Sequence, residues 1–185
     1  MKTVFHIPVL RAVSALVAAI LLSGCAATHP SISMSGPQIA SKVAALQGSL
    51  KGLGKDTDNA EAGRLAETAV TYSLRLAEDY RVSPPARWHN LLIQMGFRDR
   101  GLCFHWTEDL MKRLQTLGLT TYELHWGVAH KGSDLREHNS VVITALNQPF
   151  EEGLVLDPWR NSGDLYWAVV GRDSYPWRAL PREEW

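Results

Sequence analysis

Cysteine is nearly absent: the 185 residues contain two, Cys25 and Cys103. They are far apart in the chain, so no paired-cysteine metal spacing occurs, and no HExxH segment occurs among the seven histidines. His125 and His130 are an odd number of residues apart, so on one continuous strand they face opposite sides. No metal is expected. An excess of charge is missing too: 19 basic residues stand against 19 acidic ones, which lacks the basic footprint of a nucleic-acid binder. Long apolar runs are also missing. The stretch Ala12 to Leu22 is apolar except for Ser14, yet at 11 residues it is too short to span a bilayer permanently. There is no internal repeat and no low-complexity segment.

What is present at the start has the parts of a secretory signal. Lys2 and Arg11 precede and open the apolar stretch with no acid nearby, and Leu22-Ser23-Gly24-Cys25 follows it. This end resembles a bacterial lipobox, which implies cleavage before Cys25 and acylation of that cysteine. Several acyl chains, at about 0.8 kcal/mol per buried methylene, hold a protein on a membrane. Ala26, not an acid, follows the cysteine, so the expected address is the outer membrane, facing the periplasm. Residues 1–24 are read as signal and 25–36 as acylated cysteine and flexible tether, with Ser31, Ser33 and Ser35 among small neighbours. Residues 37–185 are read as one domain. Without residues 1–24 the chain carries 17 bases and 19 acids, formally −2. With Cys25 acylated, Cys103 has no partner within the chain, and a lone thiol in an oxidising compartment is flagged as reactive or intermolecularly paired.

Helical signals come first. Pro37 opens a helix with Ile39, Val43, Leu46 and Leu50 on one face, ended by Gly52 and Gly54. Asp58 caps the next, whose stripe Ala62, Leu65, Ala66, Ala69, Tyr72, Leu76 and Tyr80 carries it to about Val82. Ser83-Pro84-Pro85 starts a third, expected to turn Trp88, Leu91, Leu92 and Met95 inward before Gly96. A polar loop, Arg98 to Gly101, leads into a helix beginning near Cys103 and ending at Leu117-Gly118. The period then falls from 3.6 to 2. Tyr122, Leu124, Trp126 and Val128 alternate with more polar neighbours, Lys131 to Asp134 reads as a turn, and His138–Ala145 and Gly153–Asp157 read as two more strands. Leu165 to Val170 is a further strand candidate. Helices first and an antiparallel sheet after make an α+β layout, with N-terminal helices and a Cys-bearing helix packed on a small sheet.

Three side chains in this layout suit acyl transfer. Cys103 sits where a helix presents unpaired N–H groups and partial positive charge, which favours a thiolate. His138 opens a strand, and Asp157 closes another just before Pro158. Asp157 is placed to steady one ring nitrogen while the other takes the thiol proton. The Cys103 N–H is one natural oxyanion donor; a second is needed, with Gln94 and Trp88 upstream as candidates. Trp159 and Arg160, directly after the Asp-Pro pair, are candidates for lining the substrate cleft.

Gly101-Leu102-Cys103, then His138 35 residues on, then Leu156-Asp157-Pro158 19 further, resembles the transglutaminase-like superfamily within the papain-like group. The resemblance covers roughly residues 85–160. It implies cysteine-dependent cleavage or transfer of acyl groups at amide bonds, with Cys103 as nucleophile, His138 as base and acid, and Asp157 as its orienter. No cofactor is implied. The implied partners are the membrane, through acylated Cys25, and a peptide or protein substrate in the envelope, not nucleic acid. His138 is followed here by Asn139-Ser140, where relatives often carry a small residue and then an aromatic one. Two other readings stand beside it. One is a non-catalytic envelope lipoprotein using the same fold for binding or assembly. The other is an NlpC/P60-type peptidoglycan peptidase, although the Asp-Cys-Ser-Gly pattern of that type is missing.

Overall fold

The computed structural model describes residues 34–185. The expected signal segment, Cys25 and most of the 25–36 tether lie outside the described residues. Among those described, four α-helices come first: α1 (Gly36–Lys51), α2 (Asn59–Asp79), α3 (Ala86–Gln94) and α4 (Cys103–Gln115). Five strands follow: β1 (Tyr122–Ala129), β2 (His138–Ala145), β3 (Leu154–Asp157), β4 (Tyr166–Val169) and β5 (Trp177–Ala179). They form one antiparallel sheet in the order β4-β3-β2-β1-β5, so the architecture is α+β. No described helix is long and apolar enough to cross a membrane.

Capping explains where the first helices begin. The Ser35 N–H donates to Gln38 Oε1 at 2.8 Å, and Asp58 Oδ1 accepts from the Glu61 N–H at 2.7 Å. The α2 stripe buries Ala62, Leu65, Ala66 and Ala69 completely, against Leu46 and Leu50 of α1. α2 stops at Asp79, short of Val82. Arg81 takes a left-handed φ of 51°, and the Val82 N–H turns back to the Ala77 carbonyl at 2.9 Å, a closure that ends the helical repeat.

α3 faces the other way from its apolar pattern. Ala86 and His89 are its buried residues, whereas Trp88, Leu91 and Met95 are 48%, 41% and 54% exposed. This corrects the inward placement of those three residues. The helix is short, and the polar ring of His89 anchors it. Its Nδ1 accepts from the Ser83 N–H at 3.2 Å, and its Nε2 meets the Arg100 carbonyl at 2.9 Å.

β2 is the central strand, and all eight of its residues are buried. Alternation sends Val141 and Ile143 to the helical side, where they join Leu110 and Leu114 of α4, Leu65 of α2 and Leu156. Val142 goes to the opposite side, with Ala129, Val155, Val170 and Trp177. Each buried leucine contributes roughly 1.5–3 kcal/mol of transfer free energy, so the α2–α4–sheet layer supplies most of the support beneath the cysteine helix. Register then sets the site. Val141 pairs with Leu156, so Asp157 falls beside Ser140 in the next row, on the same face as His138 two residues earlier. Ala129 pairs with both His138 and Trp177, which puts all three in one row. Ala129 is small enough for the indole to reach across it to the imidazole. β5, in the Trp- and Tyr-rich tail, was not visible as a strand from its pattern.

Candidate active site

Cys103 is the first residue of α4, and the loop before it is held from three directions. Gly101 adopts φ +125°, and a Cβ there would lie 2.3 Å from His89 Nε2. Only glycine admits the imidazole so close to the chain. The Trp106 indole donates to the Gly101 carbonyl at 2.9 Å. His105 reaches back, its Nδ1 accepting from the N–H groups of Gly101 and Leu102 at 3.2 and 3.3 Å. That replaces the cap which the Leu102 side chain has no atom to provide. Burial lowers the pKa of His105, with Arg100 adding to the effect. Burial likewise lowers the pKa of His89, and the Arg98 charge acts in the same direction against the Arg100 carbonyl bond. Both rings are thus kept in the neutral form that can accept a hydrogen bond.

His138 Nε2 lies 2.7 Å from Asp157 Oδ2, with the two side chains 3% and 0% exposed. Three aromatic rings enclose the imidazole: Trp159 at 4.7 Å, Tyr175 at 4.8 Å and Trp177 at 5.2 Å between centroids. Burial alone would strip its proton. The Asp157 bond and charge, helped by the Cys103 sulfur, overcome burial and push its pKa up to about 9. With Nε2 committed to Asp157, Nδ1 is the ring atom left for the thiol, and Nδ1 is buried with no aligned hydrogen bond to any described group. The sulfur itself lies 3.9 Å from the Glu137 carbonyl and 4.0 Å from Asn139 Nδ2.

Asp157 has a cation of its own. Oδ1 accepts from the Arg160 backbone N–H at 3.1 Å, and Oδ2 from Arg160 Nε at 3.0 Å. The other edge of that guanidinium grips Asp173 at 2.8 and 2.7 Å, and its face covers the Tyr166 ring at 4.0 Å. Burial opposes ionisation of Asp173, but the Arg160 fork, the Trp177 indole at 2.7 Å and the Ser174 N–H at 2.8 Å hold its pKa down at about 2. These two carboxylates and one guanidinium sum to −1, and a protonated His138 brings the buried cluster to neutrality.

Cys103, His138 and Trp159 line one open cavity of about 440 Å³, together with Leu91, Gln94 and Tyr175. Cys103, His138 and Asp157 are thus brought together from α4, β2 and β3. Trp159 lines the cavity and gives its indole N–H to Asn90 Oδ1 at 3.1 Å. Arg160 does not line the cavity, because both edges of its guanidinium are spent on Asp157 and Asp173. Of the two upstream oxyanion candidates, Gln94 lines the cavity and Trp88 does not. Asp173, Tyr175, Trp177 and Asn139 were not anticipated. The one available signal was Arg160: a cation beside a buried Asp-Pro pair calls for a second acid, but nothing local identified Asp173 as that acid. No family model, no curated protein and no solved structure matches this chain.

Proposed function

We propose that the chain is a cysteine enzyme of transglutaminase-like type that cleaves or transfers acyl groups at amide bonds. The supporting observation is the buried 2.7 Å His138–Asp157 bond, with His138 and Cys103, the one cysteine among the described residues, lining the same cavity. In the resting pair, His138 holds the thiol proton and the sulfur is anionic. The sulfur attacks the amide carbon, a C–S bond forms, and the carbonyl π pair moves to oxygen. As that pair returns, the C–N bond breaks and the amine departs with the proton from His138. Water or a primary amine then adds to the thioester and gives a proton to the imidazole. The C–S bond breaks, leaving an acid or a new amide and the restored ion pair. Asp157 keeps the ring oriented throughout without accepting the proton itself. No metal or cofactor enters these steps.

The lipobox-like start supports a location in the bacterial envelope, with a tether through acylated Cys25 at the periplasmic side of the outer membrane and a peptide or protein as substrate. Alkylation of the purified chain by iodoacetamide is the first test. An ion pair makes Cys103 react rapidly below pH 7 and lose that reactivity in His138→Ala. A rate that only follows an ordinary thiol, titrating near about pH 8.5, leaves a binding module instead. Cys103-dependent incorporation of a labelled primary amine into envelope extract proteins separates transamidation from hydrolysis.

A further inference from the structure

We infer that Asn139 is the side-chain oxyanion donor, its amide pairing with the Cys103 N–H to hold the tetrahedral oxygen during acyl transfer; this rests on the cysteine-enzyme reading above. Asn139 follows the base directly on β2, but alternation turns it to the helical side of the sheet, where the first turn of α4 lies. It is 8% exposed. Its orientation is set by an independent contact: the Trp126 indole N–H donates to Asn139 Oδ1 at 2.7 Å. An indole nitrogen only donates, so the oxygen must face Trp126 and the –NH₂ must face the cysteine. One Nδ2 hydrogen points to Glu137 Oε1 at 3.3 Å, and the Nδ2 atom lies 4.0 Å from the sulfur.

That separation is long for a bond to sulfur and suited to a bond with something attached to it. A carbonyl carbon joined to the sulfur carries its oxygen into the intervening space, where a donor stands about 2.7–3.1 Å away. The Cys103 N–H is the other donor at that point, and it has no acceptor among the described residues. Two N–H groups from different elements thus stand beside the same sulfur, one on its own residue and one 4.0 Å from it. Both are fixed in advance, one by the helix start and one by an indole, which is what electrostatic preorganisation requires.

The test compares two reactions at the same sulfur. Iodoacetamide alkylates by displacement and forms no oxyanion, whereas p-nitrophenyl acetate must pass through a tetrahedral one. Asn139→Ala is expected to lower acylation by the ester about 10²-fold while changing alkylation less than about twofold. Trp126→Phe, which keeps an aromatic side chain and removes the orienting N–H, should show the same split with a smaller loss, and it serves as the second arm if Asn139→Ala does not fold. Equal losses in both reactions, or a loss in neither, overturn the role of Asn139. A wild-type chain that neither alkylates faster than a free thiol at pH 6 nor accepts the acetyl group overturns the enzyme reading, and this inference with it.

Discussion

Arg160 and Asp173 form a two-bonded fork at 2.8 and 2.7 Å, 13 residues apart in the chain, with side chains 19% and 1% exposed. The fork leaves Arg160 Nε free to bond Asp157, so a residue outside the cavity governs the carboxylate that orients the histidine. Buried ion pairs contribute little net stability when intact, but removing one partner strands the others. Arg160→Met should therefore cost about 3–5 kcal/mol, measured by urea unfolding. Asp173→Asn should also destabilise, because Ser174 and Trp177 donate to different carboxylate oxygens and the amide keeps an acceptor for only one of them. A loss below about 1 kcal/mol in Arg160→Met would mean that water replaces the guanidinium.

His138 makes stability depend on pH in a defined window. Its pKa is about 9 when folded and about 6.5 when unfolded, so its contribution is complete below about pH 6.5 and is lost as pH rises through about 9. The difference corresponds to roughly 3 kcal/mol. Melting temperature should fall between pH 6.5 and 9.5 in the wild type, with a much flatter profile in His138→Gln. A flat wild-type profile would show that the ring is already neutral at pH 7.

The sulfur is one of the groups that raise that pKa, which gives a test needing no substrate. Cys103→Ser removes the ionisable thiol and leaves the Asp157 bond intact. The His138 titration followed by NMR should move to lower pH in this variant. An unmoved titration would place the thiol out of contact with the ring.

The elements carrying these groups differ in how plainly they could be read. β2 stood out because His138–Ala145 follows a polar turn, and α4 because a polar loop leads into it and Leu117-Gly118 ends it. α3 was harder. Trp88, Leu91 and Met95 make an apolar stripe as regular as that of α2, but the decisive contacts are the two polar ones of the His89 ring, which periodicity does not register. Asp173 and β5 were illegible for a different reason. A three-residue strand has no period to measure, and its place beside β1 is set by Trp177 packing across Ala129 onto His138, a relationship between distant positions. Asn139 had a faint signal, as a polar residue inside an apolar strand, but only the Trp126 contact reveals which way its amide points.

Gly101 is where the helix start and α3 depend on each other most directly. Gly101→Ala forces a side chain into a backbone conformation that disfavours it and drives a methyl group to 2.3 Å from the His89 ring, which is itself fixed by bonds at both nitrogens. The ring cannot retreat without giving up the Arg100 carbonyl or the Ser83 N–H, so the loop must move instead. The expected cost is about 2 kcal/mol or more in chemical denaturation. Because the displaced segment ends in Cys103, alkylation at pH 6 should also slow. His89→Ala in the same chain opens the space the new methyl group needs, so the double variant should lose less than the two single losses combined. Simple additivity would mean that the two residues do not share the strain and that the cysteine is positioned by α4 alone.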